Sequence, residues 1–249
     1  MLTIEQLRAQ AQADLCRRPD GRPIDPVVWE HSDRVARLTQ MIAAAPELAN
    51  HVIDRTALTA AAWYHDMGWL LQLQAGEIRE IDLLLHRTSD RQRDRSADWM
   101  SERLRDLMPP GTIQQALRIV RTCHQWNPSL LEARILGEAD NLDQIGPQAI
   151  WMMVRKQIAE GRTLIDFIQT WRRQEQYGYW PAWIKECSQF PSVRAQAEQR
   201  YQAMRRFMVD LEAACGPESS PAAPQIAGRL PRQYARGLET TGVDPSAAG

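Results

Sequence analysis

Four of the five histidines, His31, His65, His86 and His124, fall at apolar-face or helix-end positions in company with the acids Asp66 and Asp140. One histidine on an apolar face is ordinarily a hydrogen-bonded core residue. Several of them beside carboxylates are harder to bury, because each loses its hydration and must be paired or coordinated. A divalent cation satisfies neutral imidazoles and carboxylates together. Nitrogen and oxygen donors without thiolate suit Mn, Fe, Co, Ni or Zn, and Mg where waters complete the sphere. Such an ion lowers the pKa of bound water from about 16 toward about 7 and neutralises charge on a phosphoryl oxygen, so hydrolysis of a phosphoester or phosphoanhydride is the natural use. The fifth histidine, His51, follows Asn50 ahead of a helix and reads as a surface residue.

A phosphate also needs cations to hold it. Arg34, three residues after His31, should flank the site. Arg87, Arg91 and Arg95 follow His86 at four-residue steps and would form one basic helical stripe able to grip phosphate oxygens through guanidinium forks. Asp90, Asp94 and Asp98 interleave with them, which is also the pattern of a solvated face with weak ion pairs. Trp151 and Arg155, one turn apart, could wall a substrate pocket, and the aromatic residues from Trp151 to Trp183 suit either base stacking or core packing.

The elements that must position these residues are helices. Between residues 27 and 107, Pro and Gly are scarce and apolar residues recur at three- and four-residue steps. The spacing predicts helices over about 2–16, 26–45, 52–66, 89–107 and 129–143, with another aligning Ile113, Leu117, Val120 and His124. Val28, His31, Val35, Leu38 and Ile42 share one face of the second helix, and Leu58, Ala61 and His65 one face of the third, which is expected to end at Asp66-Met67-Gly68. Leu136 lies one turn before Asp140. The fold class is all-α. The organisation reads as an N-terminal helix and turn (1–24), a metal-binding core (25–160), a helical extension of the same domain (161–215) and a Pro/Ala/Gly-rich flexible tail (216–249).

Composition narrows the partners. A formal net charge of -1 provides no overall basic field for nucleic acid or an anionic membrane, and no basic-aromatic interleaving suggests a nucleic-acid groove, so a nucleic-acid polymer is not expected. No stretch reaches about 18 consecutive apolar residues, and Glu5, Arg8 and Asp14 interrupt the N-terminus, so neither a membrane span nor a signal peptide is expected. Cys16, Cys123, Cys187 and Cys215 form no CxxC pair, as for reduced thiols in a cytoplasmic protein. Phosphate loops of the Walker type and GxSxG elbows are absent.

The order His31, then His65-Asp66 within AAWYHDMG, then Asp140 within ILGEADNLDQIG, resembles the HD phosphohydrolase superfamily over roughly residues 25–160. HSDRV at 31–35 is similar to its first motif, and EADNLDQIG to its closing motif. The resemblance implies an all-helical metal-dependent hydrolase of a small phosphorylated compound, with nucleotides among the candidates. It carries His31, His65, Asp66 and Asp140 over as metal ligands, with Asp66 central to catalysis and Asp143 an acid at the site rim for substrate or ligand positioning. Two-metal members add two histidines in the interval where His86 and His124 stand, so one or two ions are open. The same ligand set would serve a diiron oxygenase, although only Glu30, and no tyrosine, stands near His31. A binding module without turnover is the remaining alternative. The sequence fixes neither the metal's identity nor the oligomeric state.

Overall fold

The computed structural model describes residues 2–18 and 21–215, and the expected flexible tail at 216–249 lies outside the described residues. Every regular element among the described residues is helical, apart from one isolated bridge between Arg17 and Pro23.

The centre of the core is α3 (Arg55–Tyr64), whose residues 57–64 are all buried. Ala57, Ala60, Ala61 and Ala62 are fully buried, and their small side chains let α2 (Val27–Ala43), α6 (Pro110–Thr122) and α7 (Leu131–Asp143) pack against the helix from several directions. Leu58 fills the same layer, a burial that contributes about 1.5–3 kcal/mol for an aliphatic side chain of this size. The third helix is shorter than its apolar pattern suggests. Asp54 caps it through Ala57 N, His65 closes it, and the chain turns at Asp66 into a further helix, α4 (Met67–Gln74).

That split gives Gly68 an unexpected task. It does not stop a helix but lies inside α4, where a Cβ would sit 2.2 Å from the Gln92 carbonyl oxygen of α5 (Asp90–Arg103). Only glycine permits that approach, and the Gly68 amide donates to Ser96 Oγ across it at 2.7 Å. Gly137 of α7 plays the same part against the end of α6, a Cβ there meeting the Cys123 carbonyl oxygen at 2.4 Å.

Helix α5 starts on Ser89, whose side chain and that of Gln92 form a reciprocal capping box. It ends at Arg103, earlier than the expected end near residue 107, and Pro110 opens α6, where its missing N–H is no loss. Beyond the core, α1 (Ile4–Cys16), α8 (Pro147–Ala159), α9 (Leu164–Gln176), α10 (Tyr179–Cys187) and α11 (Pro191–Cys215) complete the described helices, and residues 1–214 cluster as one compact unit. Trp180 of α10 packs against Trp171 of α9 at a ring-centroid distance of 5.9 Å and meets Tyr179 and Trp183 of its own helix edge-on at 5.0 and 6.4 Å. No described helix is long and apolar enough to cross a membrane.

Candidate metal centre

His31 of α2, His65 and Asp66 at the α3–α4 junction, and Asp140 of α7 meet in one place. His31, His65 and Asp66 offer ligand atoms that all lie within 4.8 Å of one another. The two Nε2 atoms are 3.3 Å apart, and Asp66 Oδ2 lies 3.5 Å from each. Asp140 joins through Oδ1, 3.3 Å from His31 Nε2 and 4.0 Å from His65 Nε2. A cation bonded at about 2.0–2.2 Å in four- or six-fold geometry keeps neighbouring donors roughly 3.0–3.5 Å apart, so the spacing fits such an ion.

The lone pairs point the same way. His65 Nδ1 lies 2.8 Å from the Ala62 carbonyl oxygen, which can only accept, so Nδ1 carries the proton. His31 Nδ1 is held in the same manner by Asp143 Oδ2 at 2.8 Å. With each Nδ1 engaged, both rings turn Nε2 toward each other and toward the two carboxylates. Two imidazole nitrogens and two carboxylate oxygens in that proximity call for positive charge among them, a proton on His31 in the metal-free protein or a metal cation in its place. A carboxylate on the far nitrogen of a ligating histidine, as Asp143 is on His31, fixes the ring and raises its basicity.

Asp66 is oriented as firmly. Its Oδ1 accepts the Thr88 hydroxyl at 2.7 Å, Thr88 in turn accepts Trp69 Nε1 at 2.9 Å, and Oδ2 is left for the cluster. Thr88 sits on the loop before α5 and carries no signal in the sequence beyond its place there. Asp143, the last residue of α7, is buried and not at the rim as expected. Carboxylates at a helix C-terminus meet the negative end of the dipole. Arg34 offsets this with two bonds to Asp143, from Nε at 2.8 Å and Nη2 at 3.0 Å, so its guanidinium is engaged with the protein and not turned out to a phosphate.

Electrostatics follow from this concentration of acids. Burial pulls the His31 pKa down, but the hydrogen bonds to Asp140 and Asp143 outweigh it and push the value up to about 10. Burial raises Asp140 and Asp143, yet His31 overcomes it in both, with His65 and Arg93 helping at Asp140 and Arg34 at Asp143, so both carboxyls lie below the usual range. The pocket holds positive charge avidly.

The remaining sequence candidates stand apart from this cluster. His86 is exposed, on a loop that includes Leu84 at φ 60°, because α5 begins only at Asp90. His124, just past the end of α6, pairs its Nε2 with Asp90 at 3.0 Å. Arg87 and Arg91 are exposed and Arg95 pairs with Glu77, so the stripe faces solvent. Arg155 is buried against Asp25 at 2.6 Å and reaches the Glu80 carbonyl, a strap between α8 and the chain ahead of α2, while Trp151 is 60% exposed; the two form no common wall. Reasoning from the sequence passes over Arg93. It shares the buried face of α5 with Ser96, Ala97 and Met100, and that register is the signal that marks it. A hollow of about 400 Å³ lined by Trp99, Glu102, Arg103, Asp106 and Leu107 lies at the other end of α5 and includes none of the cluster.

Comparison with known proteins agrees with this geometry. Residues 28–145 match the family model of the HD domain. No curated protein matches the sequence. Among solved structures, Bacillus subtilis YpgQ in complex with ADP is similar at 21% identity and TM-score 0.55, over 84% of this chain and 93% of that one. A predicted HD superfamily hydrolase from an uncultured Thermotogales bacterium is similar at 18% identity and TM-score 0.53, over 86% and 93%. The Lin1889 protein of Listeria innocua follows at 18% and 0.52, over 85% and 96%. These likenesses establish the fold, and the matched segment carries His31, the His65-Asp66 pair and Asp140 in sequence order. The chain carries an HD domain at residues 28–145, the domain of a superfamily of metal-dependent hydrolases.

Proposed function

We propose that the protein is a metal-dependent phosphohydrolase acting on a small phosphorylated compound, with His31, His65, Asp66 and Asp140 holding one divalent ion. The observation that carries this is the convergence of two Nε2 atoms and two carboxylate oxygens, with both Nδ1 atoms committed elsewhere. When bound, the ion supplies a water ionised near neutral pH and a charge for the phosphoryl oxygen. Asp143 keeps the His31 ring in register, Thr88 keeps Asp66 turned so that Oδ2 faces the cluster, and Arg34 neutralises Asp143.

A nucleotide suits this reading, and the ADP bound to the YpgQ structure is of the same class. The diiron alternative would need further ligands from His86 and His124, and neither the exposure of the first nor the Asp90 pairing of the second supports that. Metal analysis of protein expressed in supplemented medium, followed by phosphate release from nucleotides and sugar phosphates alongside oxygen consumption under reduced iron, tests the proposal. One equivalent of metal with phosphate release is expected. Absence of stoichiometric metal, or oxygen uptake without phosphate release, would overturn it.

A further inference from the structure

The α5 side of the site contains a buried charge with two nitrogens that lack a hydrogen-bond partner among the described residues. Arg93 is 7% exposed, and its Nε and Nη1 are buried with no hydrogen-bond partner among the described residues. An unsatisfied buried donor is costly, more so on a charged group. The start of α5 adjoins the cluster: Thr88 bonds Asp66, the Gln92 backbone abuts Gly68 two residues past Asp66, and Arg93 is the next residue on the buried face. Burial works against its charge, while Cys123, Asp66, Asp140 and Asp90 sustain it. Gly68 and Gly137 permit the two close approaches that seat this side of the site, α5 against α4 and the end of α6 against α7.

Counting charge indicates what is missing. Asp143 is matched by Arg34. Asp66 and Asp140 together are matched by a divalent cation. Arg93 is then left a buried cation with open Nε and Nη1 donors beside the ion that the proposed function requires. We propose that Arg93 is the binding residue for a phosphoryl oxygen of the substrate, its Nε and Nη1 groups donating to the oxyanion next to the metal. Arginine suits this position because its guanidinium stays charged when desolvated and offers several fixed donors to a tetrahedral oxyanion. The inference rests on the phosphohydrolase reading and names the residue that would recognise its substrate class.

The experiment uses the full chain loaded with Zn²⁺ and titrated with inorganic phosphate by calorimetry, comparing wild type with Arg93→Met and Arg93→Lys and, as a control, Arg206→Met on exposed α11 surface. Phosphate affinity should fall about tenfold or more in Arg93→Met, the worth of a charge-assisted hydrogen bond, and less in Arg93→Lys. Metal affinity should stay the same or rise, since a positive charge beside Asp66 and Asp140 has been removed. A merely structural arginine would instead lower metal affinity and folding stability and leave phosphate binding by the loaded protein unchanged, which overturns the proposal. Should both variants fail to fold, the crystal structure of the Zn²⁺-loaded wild type with phosphate decides: an oxygen within hydrogen-bond reach of Arg93 supports the proposal, and phosphate seated elsewhere ends it. If the loaded wild type binds phosphate and hydrolyses a phosphoester but ignores Arg93, this inference alone fails. If it does neither, the phosphohydrolase reading fails with it.

Discussion

Two arginines beside the cluster live in opposite conditions. On the α2–α7 side, Arg34 directs its guanidinium at Asp143, which also holds His31, so that the arginine and the carboxylate are each other's partner inside the protein. On the α5 side, Arg93 is more deeply buried yet keeps two nitrogens without acceptors. The difference separates a wall that fixes the metal ligands from a wall left open to a ligand. Satisfied networks rigidify, whereas an unsatisfied donor survives in a native structure where a function repays its cost.

The sharpest way to break this comparison is to remove the cluster that both walls serve. Asp66→Asn preserves size but takes away the anionic ligand, and phosphate release should fall at least about 10³-fold with loss of bound metal, because water activation depends on the ion. Retention of both metal and activity by this variant would show the ligand assignment to be wrong. Asp143→Asn tests the fixed wall. It leaves every cluster ligand in place but weakens the hold on His31 and unbalances Arg34, so metal affinity should drop about 10–100-fold. Competition with a chelator of known affinity measures it, and an unchanged value would mean that Asp143 does not support the ligand.

Proton linkage gives the next effect. In the metal-free protein His31 titrates near 10, above the roughly 6.5 of an unfolded histidine. Its raised pKa therefore contributes stability that is full below about pH 6.5 and lost as pH climbs toward 10. The depressed carboxyls Asp140 and Asp143 act in the other direction: their contribution is present above about pH 4, the unfolded value, and is lost as pH falls further. Metal-free stability should thus decline on both sides of the neutral range. Since an ion must displace the His31 proton, metal affinity should rise about tenfold per pH unit between pH 7 and 9. Calorimetry in buffers of different ionisation enthalpy should find one proton released per ion at pH 7, and no release would contradict the protonated state of His31.

Much of the site was legible because helical periodicity fixes faces. His31 aligns with Val28, Val35, Leu38 and Ile42, and burial follows that alignment. Asp140, one turn beyond Leu136, reaches the cluster, and the all-α class follows from the same pattern. Legibility stops where tertiary contact decides. The break at His65-Asp66 looks like a helix end, yet the chain starts α4 at once, because Gly68 is needed for contact with Gln92 and not for a left-handed turn. Thr88 becomes a partner of Asp66 only because a loop distant in sequence folds over the junction. His86 and His124 stand in the right order, but order along the chain says nothing of where a loop points. Helix α5 misleads for a different reason: its alternating acids and bases draw attention to the charged outer face, while the one arginine in register with Ser96, Ala97 and Met100 turns inward.

The smallest effects should come from the residues that the charge pattern singles out but the fold leaves in solvent. Arg91 is exposed on the outer face of α5, two residues from Arg93 but on the opposite side of the helix, and Trp151 is 60% exposed on α8. Neither fills the core, so Arg91→Met and Trp151→Ala should each change folding stability by no more than about 0.5 kcal/mol. Their KM for a phosphorylated substrate should shift far less than that of Arg93→Met. Steady-state kinetics on the three variants side by side makes the test direct, since each loses one large side chain and only one of them faces the metal cluster. A larger KM change in Arg91→Met than in Arg93→Met would move substrate recognition to the outer stripe. In that case the unsatisfied nitrogens of Arg93 would have to be explained by charge compensation of Asp66 and Asp140 alone.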